Sequence, residues 1–232
     1  MAGYAKTSLI STLGIAINDI SNLYKEKFIN YRGKTISQPR EQYSEVISGF
    51  LLNNLQEFKK IKSITREKCY FTKTHDGKIK NPNSNRTEEK IALSMSGKTY
   101  QYIGKIVDYQ IPLKNKKDDT GLGKIDLLSY IDDKLIILEL KVEDSKETLL
   151  RCVLETYTYW KTVDQLKLLR DFSSLAPEVK NVEKAVLVFK NSFQHEEYKN
   201  TNSKTRELMT KLDVGIYLIE HINENRFIIT LP

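Results

Sequence analysis

Between residues 121 and 142 the chain reads GLGKIDLLSYIDDKLIILELKV, which sets an aspartate, Asp126, ahead of the tripeptide Glu139-Leu140-Lys141. Two carboxylates and an ammonium, if brought together, could hold a divalent cation beside a positive charge, a set suited to hydrolysing an ester such as a phosphate diester. Carboxylate oxygens suit a hard divalent cation such as Mg²⁺, which binds few protein ligands and keeps several waters. The cation lowers the pKa of a bound water and neutralises the phosphate, while a lysine beside it orients that water or steadies the developing oxyanion.

The spacing brings these groups together only if the segment is a hairpin. Residues 124–131 and 134–142 are rich in Ile and Leu, and Asp132-Asp133 between them supplies a two-residue loop. Pairing Ile131 with Lys134 and counting back along the ladder puts Asp126 across from Glu139. Directly opposed residues share a sheet face with Cβ atoms roughly 4.5–5.5 Å apart, so two carboxylates there repel unless a cation lies between them. Along the second strand Glu139 and Lys141 face one way and Leu138, Leu140 and Val142 the other. The run Leu135-Ile136-Ile137-Leu138 is apolar on both faces, as in a central strand covered on both sides. Acid-x-Lys also occurs at Glu57, Asp76, Asp144, Glu178 and Glu197. Only the Glu139 copy closes an Ile/Leu strand and has an acidic partner in register.

This arrangement, Gly123-Lys124-Ile125-Asp126 followed by Glu139-Leu140-Lys141, resembles the PD-(D/E)xK nuclease superfamily, with Ile125 standing where the family's proline is expected. The resemblance implies an α/β fold with a restriction-endonuclease-like core: helix, three-strand antiparallel meander, helix, strand, in a mixed sheet flanked by helices. It implies Asp126, Glu139 and the backbone carbonyl of Leu140 as ligands of Mg²⁺ or Mn²⁺, and Lys141 as the catalytic cation. It also implies a glutamate from the first core helix, Glu88, with Glu89 behind it. The implied activity is metal-dependent phosphodiester hydrolysis, with DNA as the expected substrate. Cutting both strands of a duplex usually takes two such sites, which would call for a homodimer.

The elements around the motif follow from periodicity. Residues 8–29 and 41–61 carry apolar residues at helical spacing and form an N-terminal helical extension, 1–85, packed on a core of 86–232. Residues 66–74 read as a short strand and the Gly/Asn/Pro-rich stretch after them as a loop. Thr87 caps a helix over 88–95, whose first-turn Glu88 and Glu89 suit the helix dipole as well as a metal site. Glu45 reads as a residue of a charged helix face. Residues 98–113 form the first core strand, and the basic loop 114–123 brings Lys114, Lys116 and Lys117, together with Lys124, toward any bound phosphate. A solvated hairpin tip would look the same.

Ser145 opens a helix to about residue 163, with Leu149, Leu150, Val153, Leu154, Tyr157 and Trp160 as its buried stripe. Arg151 and Glu155 on it form an ordinary i,i+4 pair, and the resemblance implies that this helix turns polar residues, Arg151 among them, to the nucleic acid. A strand at 185–189, a helix at 204–212 and a hairpin over 214–231 complete the chain.

Composition bounds the alternatives. With 40% hydrophobic and 29% charged residues in 232, the chain is an ordinary globular domain. Its net charge of +7 and pI near 9.1 favour a polyanionic partner such as nucleic acid. No apolar run approaches the ~18 residues of a membrane span, and Leu9 to Ile17, followed at once by Asn18-Asp19, reads as a helix rather than a signal segment. Cys69 and Cys152 are far apart, which points to free thiols in the cytoplasm. His75, His195 and His221 are scattered, so no nucleophile–base pair can be assembled. The rival readings are an inactive nucleic-acid-binding module with the same fold, and an interaction protein whose basic charge is incidental.

Overall fold

The computed structural model describes residues 3–72, 75, 85–115, 121–223 and 226–232. At its centre the predicted hairpin is present, β3 (Lys124–Ile131) and β4 (Lys134–Lys141), with Ile131 paired to Lys134 and Leu127 to Leu138. Asp132 takes a left-handed φ of 51° in the two-residue loop, a conformation Asp tolerates better than most residues. The ladder stops at Leu127↔Leu138. Asp126 and Glu139 are the next positions in this register, where the paired strands end.

Around the hairpin lies a seven-stranded mixed sheet in sequential order. It begins with β1 (Thr99–Tyr100) and β2 (Gly104–Pro112), antiparallel to each other and to β3. Strand β5 (Asn181–Phe189) pairs parallel with β4, and β6 (Gly215–Asn223) parallel with β5, before β7 (Arg226–Thr230) returns antiparallel. A parallel neighbour requires a long crossover. It is made here by α4 (Leu149–Thr162) and α5 (Gln165–Phe172).

β4 is covered on both sides. Leu135 and Ile137 join a cluster with Leu150, Val153 and Leu154 of α4, while Ile136, Leu138 and Leu140 join Ala92, Leu93 and Met95 of α3 (Thr87–Met95). By alternation Glu139 and Lys141 share the α4 face. The N-terminal helices, α1 (Lys6–Ala16) and α2 (Tyr43–Leu52), belong to the α4-side cluster through Leu9, Leu13, Ile47 and Leu51. Each such fully buried Leu or Ile contributes roughly 1.5–3 kcal/mol, and the N-terminal extension is thereby continuous with the core.

Several expected boundaries are corrected. The helix over 8–29 ends at Ala16 and continues as 3₁₀ turns, with Asp19 non-helical (φ −113°, ψ 62°). Nearby, the Asn18 amide donates to the Ile15 carbonyl and the Asn22 amide to the Asp19 carboxylate, the local bonding by which Asn and Asp compete with helices. Asn54, bonded to the Phe50 carbonyl, ends the second helix in the same way. Residues 66–72 are not a strand: the N–H groups of Glu67 and Tyr70 go to the side chains of Asn115 and Asp171. The strand over 98–113 is broken at Tyr102 and Gly104, both at φ 71°. Thr87 is the first residue of α3 rather than its cap. The cap of α4 is Thr148, not Ser145; its hydroxyl accepts from Arg151 N–H and donates to the Ile29 carbonyl. The helices α5 and α6 (Phe193–Lys199) were not expected, although Asp164 and Ser192 cap them through their side chains. The last helix, α7 (Lys204–Leu212), lies where predicted.

Among the described residues no helix is long and apolar enough to cross a membrane.

Gly104 lets β2 start against β3: a Cβ there would overlap the Tyr130 carbonyl oxygen, and the positive φ is strained for any L side chain. Gly104→Ala should therefore destabilise the protein by about 2 kcal/mol or more, read as a lower urea midpoint.

Candidate active site

Where the β3–β4 ladder ends, the side chains of Asp126, Glu139 and Lys141 enter an open cleft of ≈ 620 Å³ between the sheet, α3 and α4. Asp126 is held by two hydrogen bonds: Leu140 N–H donates to Oδ2 at 3.0 Å and Gln110 Nε2 to Oδ1 at 2.9 Å. The N–H and C=O of one strand residue point to the same edge, so the Leu140 carbonyl also faces the β3 side. Gln110 lies in β2 between the pairs Tyr109↔Leu127 and Ile111↔Ile125, opposite Asp126, and its φ of 47° is rare for a non-glycine residue. Strain of this kind persists only where the surroundings over-determine it.

Lys141 is the hub. Its Nζ lies 2.8 Å from Glu139 Oε1, 2.9 Å from Glu147 Oε2, 3.8 Å from Glu88 Oε1 and 3.9 Å from Glu155 Oε2. Burial alone would depress its pKa, but Glu139, Glu155 and Asp126 outweigh that and raise it. The acids around Lys141 favour its charged form, which suits it to orienting water or stabilising an oxyanion.

The carboxylates show the opposite imbalance. Burial, the largest effect, and then the neighbouring acids Glu88 and Glu155 push Asp126 up to about 7 despite Lys141. Glu139 is raised well above the usual range by burial, Asp126 and Glu155. Glu88 is raised by burial, with Lys141 opposing. The Oε2 of Glu155 is buried and accepts no hydrogen bond from any described residue. Six acids, Glu88, Glu89, Asp126, Glu139, Glu147 and Glu155, share the cleft with Lys124, Lys141 and Arg151 and with Arg86, which pairs with Glu89 at its edge. The buried part of the site is short of positive charge.

A divalent cation would supply that charge. Among the described residues no group of three or more His, Cys, Asp or Glu is arranged to hold a metal by itself. The residues that would hold one are the carboxylates of Asp126 and Glu139, with the Leu140 carbonyl beside them, although Leu140 is not among the residues lining the cleft.

Of the residues expected at a site, Asp126, Glu139, Lys141, Glu88, Lys124 and Arg151 all line this cleft. Lys116 and Lys117 lie outside the described residues, and Lys114 is exposed away from the lining. Glu89 borders the cleft and pairs with Arg86 at 3.2 Å. Glu45 is neither a site residue nor a free surface charge: it accepts from Lys204 N–H at the start of α7. Arg151 has Glu147 as its nearer partner, at 2.8 Å against 4.0 Å for Glu155, and also donates to the Tyr24 carbonyl.

Gln110 and Glu147 were not anticipated. Pairing 98–113 with the hairpin would have placed Gln110 beside Asp126, and Glu147, though it precedes α4, stands four residues before Arg151 at the spacing that pairs them. Tyr159 closes the cleft, its hydroxyl 2.7 Å from Glu155 Oε1. A Cβ at Gly123 would overlap that ring, so only glycine admits it. The Cys152 thiol is buried and raised in pKa, hence neutral.

No family model, curated protein or solved structure matches the chain.

Asp126→Asn tests the electrostatics. The amide can keep the Leu140 bond and donate to Gln110 once that side chain flips. The Asp126 pKa, raised from its ordinary range to about 7, makes the folded state lose stability as pH rises from about 4 through 7. The variant should melt above the wild type at pH 8, with the difference shrinking toward pH 5 in paired thermal scans.

Proposed function

We propose that this chain is a metal-dependent nuclease of the PD-(D/E)xK type that hydrolyses phosphodiester bonds in DNA. The observation that carries this reading is the convergence of Asp126, Glu139 and Lys141, buried, at the open end of two adjacent strands. The order α3, the short β1, the β2–β3–β4 meander, α4, α5 and β5 supports it, being that of a restriction-endonuclease-like core with β1 and α5 added. So does the net charge of +7, which suits a polyanionic substrate.

In this reading Asp126 and Glu139, with the Leu140 carbonyl, hold Mg²⁺ or Mn²⁺, and the metal supplies charge neutralisation and a water of lowered pKa. Asp126 is kept in its orientation by Leu140 N–H and Gln110. Lys141 directs its ammonium toward the reacting phosphate and stabilises the charge that develops there. Glu147 and Glu155 hold Lys141 and Arg151 in place. Lys124 and Arg151 offer charge to the substrate backbone.

Purified protein incubated with supercoiled plasmid at low salt should nick it with Mg²⁺ or Mn²⁺ and not with EDTA. Lys141→Ala should lose cleavage by at least about a hundredfold, the scale of removing one oxyanion-stabilising group. It would also leave Glu139 buried without its cation, so it should lose stability at neutral pH. The double variant Glu139→Gln/Lys141→Met, which removes both charges, should recover the melting temperature and stay inactive. Cleavage surviving in the folded double variant would sink the assignment. Metal-independent binding of DNA without cleavage by the wild type would instead favour the inactive binding module.

The acids at the site also predict metal-dependent stability. Mg²⁺ or Mn²⁺ should raise the melting temperature, and by more at pH 8 than at pH 6, because below about 7 the metal competes with the Asp126 proton. A shift independent of pH would place the metal elsewhere.

A further inference from the structure

The carboxylate of Glu147 spans Lys141 and Arg151, with Oε2 at 2.9 Å from Lys141 Nζ and Oε1 at 2.8 Å from Arg151 Nε. One acid with an oxygen toward each of two cations is the pattern in which a phosphate, through two unesterified oxygens, lies between a lysine and an arginine. Neither end is seated as a hydrogen bond. Glu147 Oε2 and Arg151 Nε are both buried, and neither has a hydrogen-bond partner among the described residues. Closeness without alignment leaves Coulomb attraction and little more.

The other acids nearest Lys141 are held more firmly. Glu139 stands on β4 with its side chain 4% exposed, and Glu155, 12% exposed, accepts from the Tyr159 hydroxyl through Oε1. The Glu147 side chain is 26% exposed and comes from the connection between β4 and α4. Its backbone is tied down. Gln194 Nε2 donates to the Glu147 carbonyl at 2.6 Å, and the N–H groups of Thr148 and Leu149 donate to Asn30 Oδ1 at 2.7 Å and Glu197 Oε2 at 2.6 Å. The side chain can therefore turn outward about its own χ angles while α4 and Arg151 stay in place. Lys141 would keep its compensation, with Glu139 at 2.8 Å and Glu88 and Glu155 at 3.8 and 3.9 Å.

We infer that Glu147 is an internal stand-in for a substrate phosphate: it fills the seat between Lys141 and Arg151 in the free protein and gives it up when a phosphate of the nucleic-acid backbone enters. The inference rests on the nuclease reading for the identity of the ligand, but the seat can be tested without hydrolysis. A further anion brought to contact with Lys141, in a cleft already crowded with acids, meets strong repulsion, so the phosphate enters only as Glu147 leaves. Arg151 then offers its guanidinium edge to the phosphate oxygens, and Lys141 its ammonium. The exchange weakens binding, because only molecules with Glu147 turned outward are competent. In return, neither cation is left without a counter-charge when no substrate is present.

The test is fluorescence anisotropy of a labelled DNA duplex in EDTA, with thermal scans to show that each protein is folded. Glu147→Gln should bind roughly tenfold more tightly than the wild type or better, the factor recovered when the open form is a tenth or less of the population. Glu147→Asp, whose shorter arm keeps the charge but not the span, should fall between the two. Glu89→Gln removes the same charge from the same cleft at its Arg86 pair, away from Lys141 and Arg151, and should gain no more than about twofold. The gain should also need Arg151: Glu147→Gln/Arg151→Met should bind like Arg151→Met alone, the non-additivity of residues that share one seat. Unchanged or weaker binding by both Glu147 variants, an equal gain in Glu89→Gln, or no binding by any of the proteins would overturn the inference and leave Glu147 a fixed strut. Plasmid nicking with Mg²⁺ is read separately. No nicking by the wild type, with the binding pattern as expected, would remove the nuclease reading and leave the phosphate seat standing; nicking without the gain in Glu147→Gln would do the reverse.

Discussion

The ammonium of Lys141 sits within 2.9 Å of both Glu139 and Glu147, at the end of a strand buried on both faces. Two further acids, Glu88 and Glu155, lie just beyond contact, and Asp126 adds its field. Removing this many charges from water is costly unless each is paired, and one lysine with Arg151 cannot pair them all. The raised pKa values of Asp126, Glu139 and Glu88 express that shortage. A fold that concentrates acids around one cation, where apolar side chains would pack more stably, retains them at a cost to its own stability. Such cost is ordinarily met where a ligand or a reaction needs the charges.

The rest of the architecture serves to hold that cluster. β4 brings Glu139 and Lys141 to one face by alternation, and the end of its pairing with β3 opens the sheet where Asp126 stands. The α4 helix is fixed by its cap, Thr148, to the segment around Ile29 and Asn30, which sets Arg151, Glu155 and Tyr159 against the cleft. Among the described residues the N-terminal helices place no side chain in the lining of the acidic cleft. They anchor α4, whose Arg151 donates to the Tyr24 carbonyl.

How much of this could be read in advance depended on the range of the interactions involved. The β3–β4 hairpin was legible because its register follows from a two-residue loop and a period of two, both local. The helical character of 149–162 and 204–212 was legible from apolar spacing. The misplaced ends of the N-terminal helices, by contrast, came from Asn and Asp side chains bonding to nearby backbone, which apolar periodicity does not register. The break at Tyr102–Gly104 depends on how closely β2 approaches Tyr130, a contact between distant parts of the chain.

By itself, then, the sequence determined the composition of the site's centre, Asp126, Glu139 and Lys141 on one hairpin, because strand alternation and turn length act over a few residues. Only the tertiary structure decided what surrounds them. Glu147 rather than Glu155 became the closer partner of Arg151, and Gln110 came to hold Asp126 from a neighbouring strand. Those pairings join positions far apart in the chain or set by how one element docks on another. No spacing rule within a segment encodes the angle at which a helix meets a sheet; the packing of the whole core does.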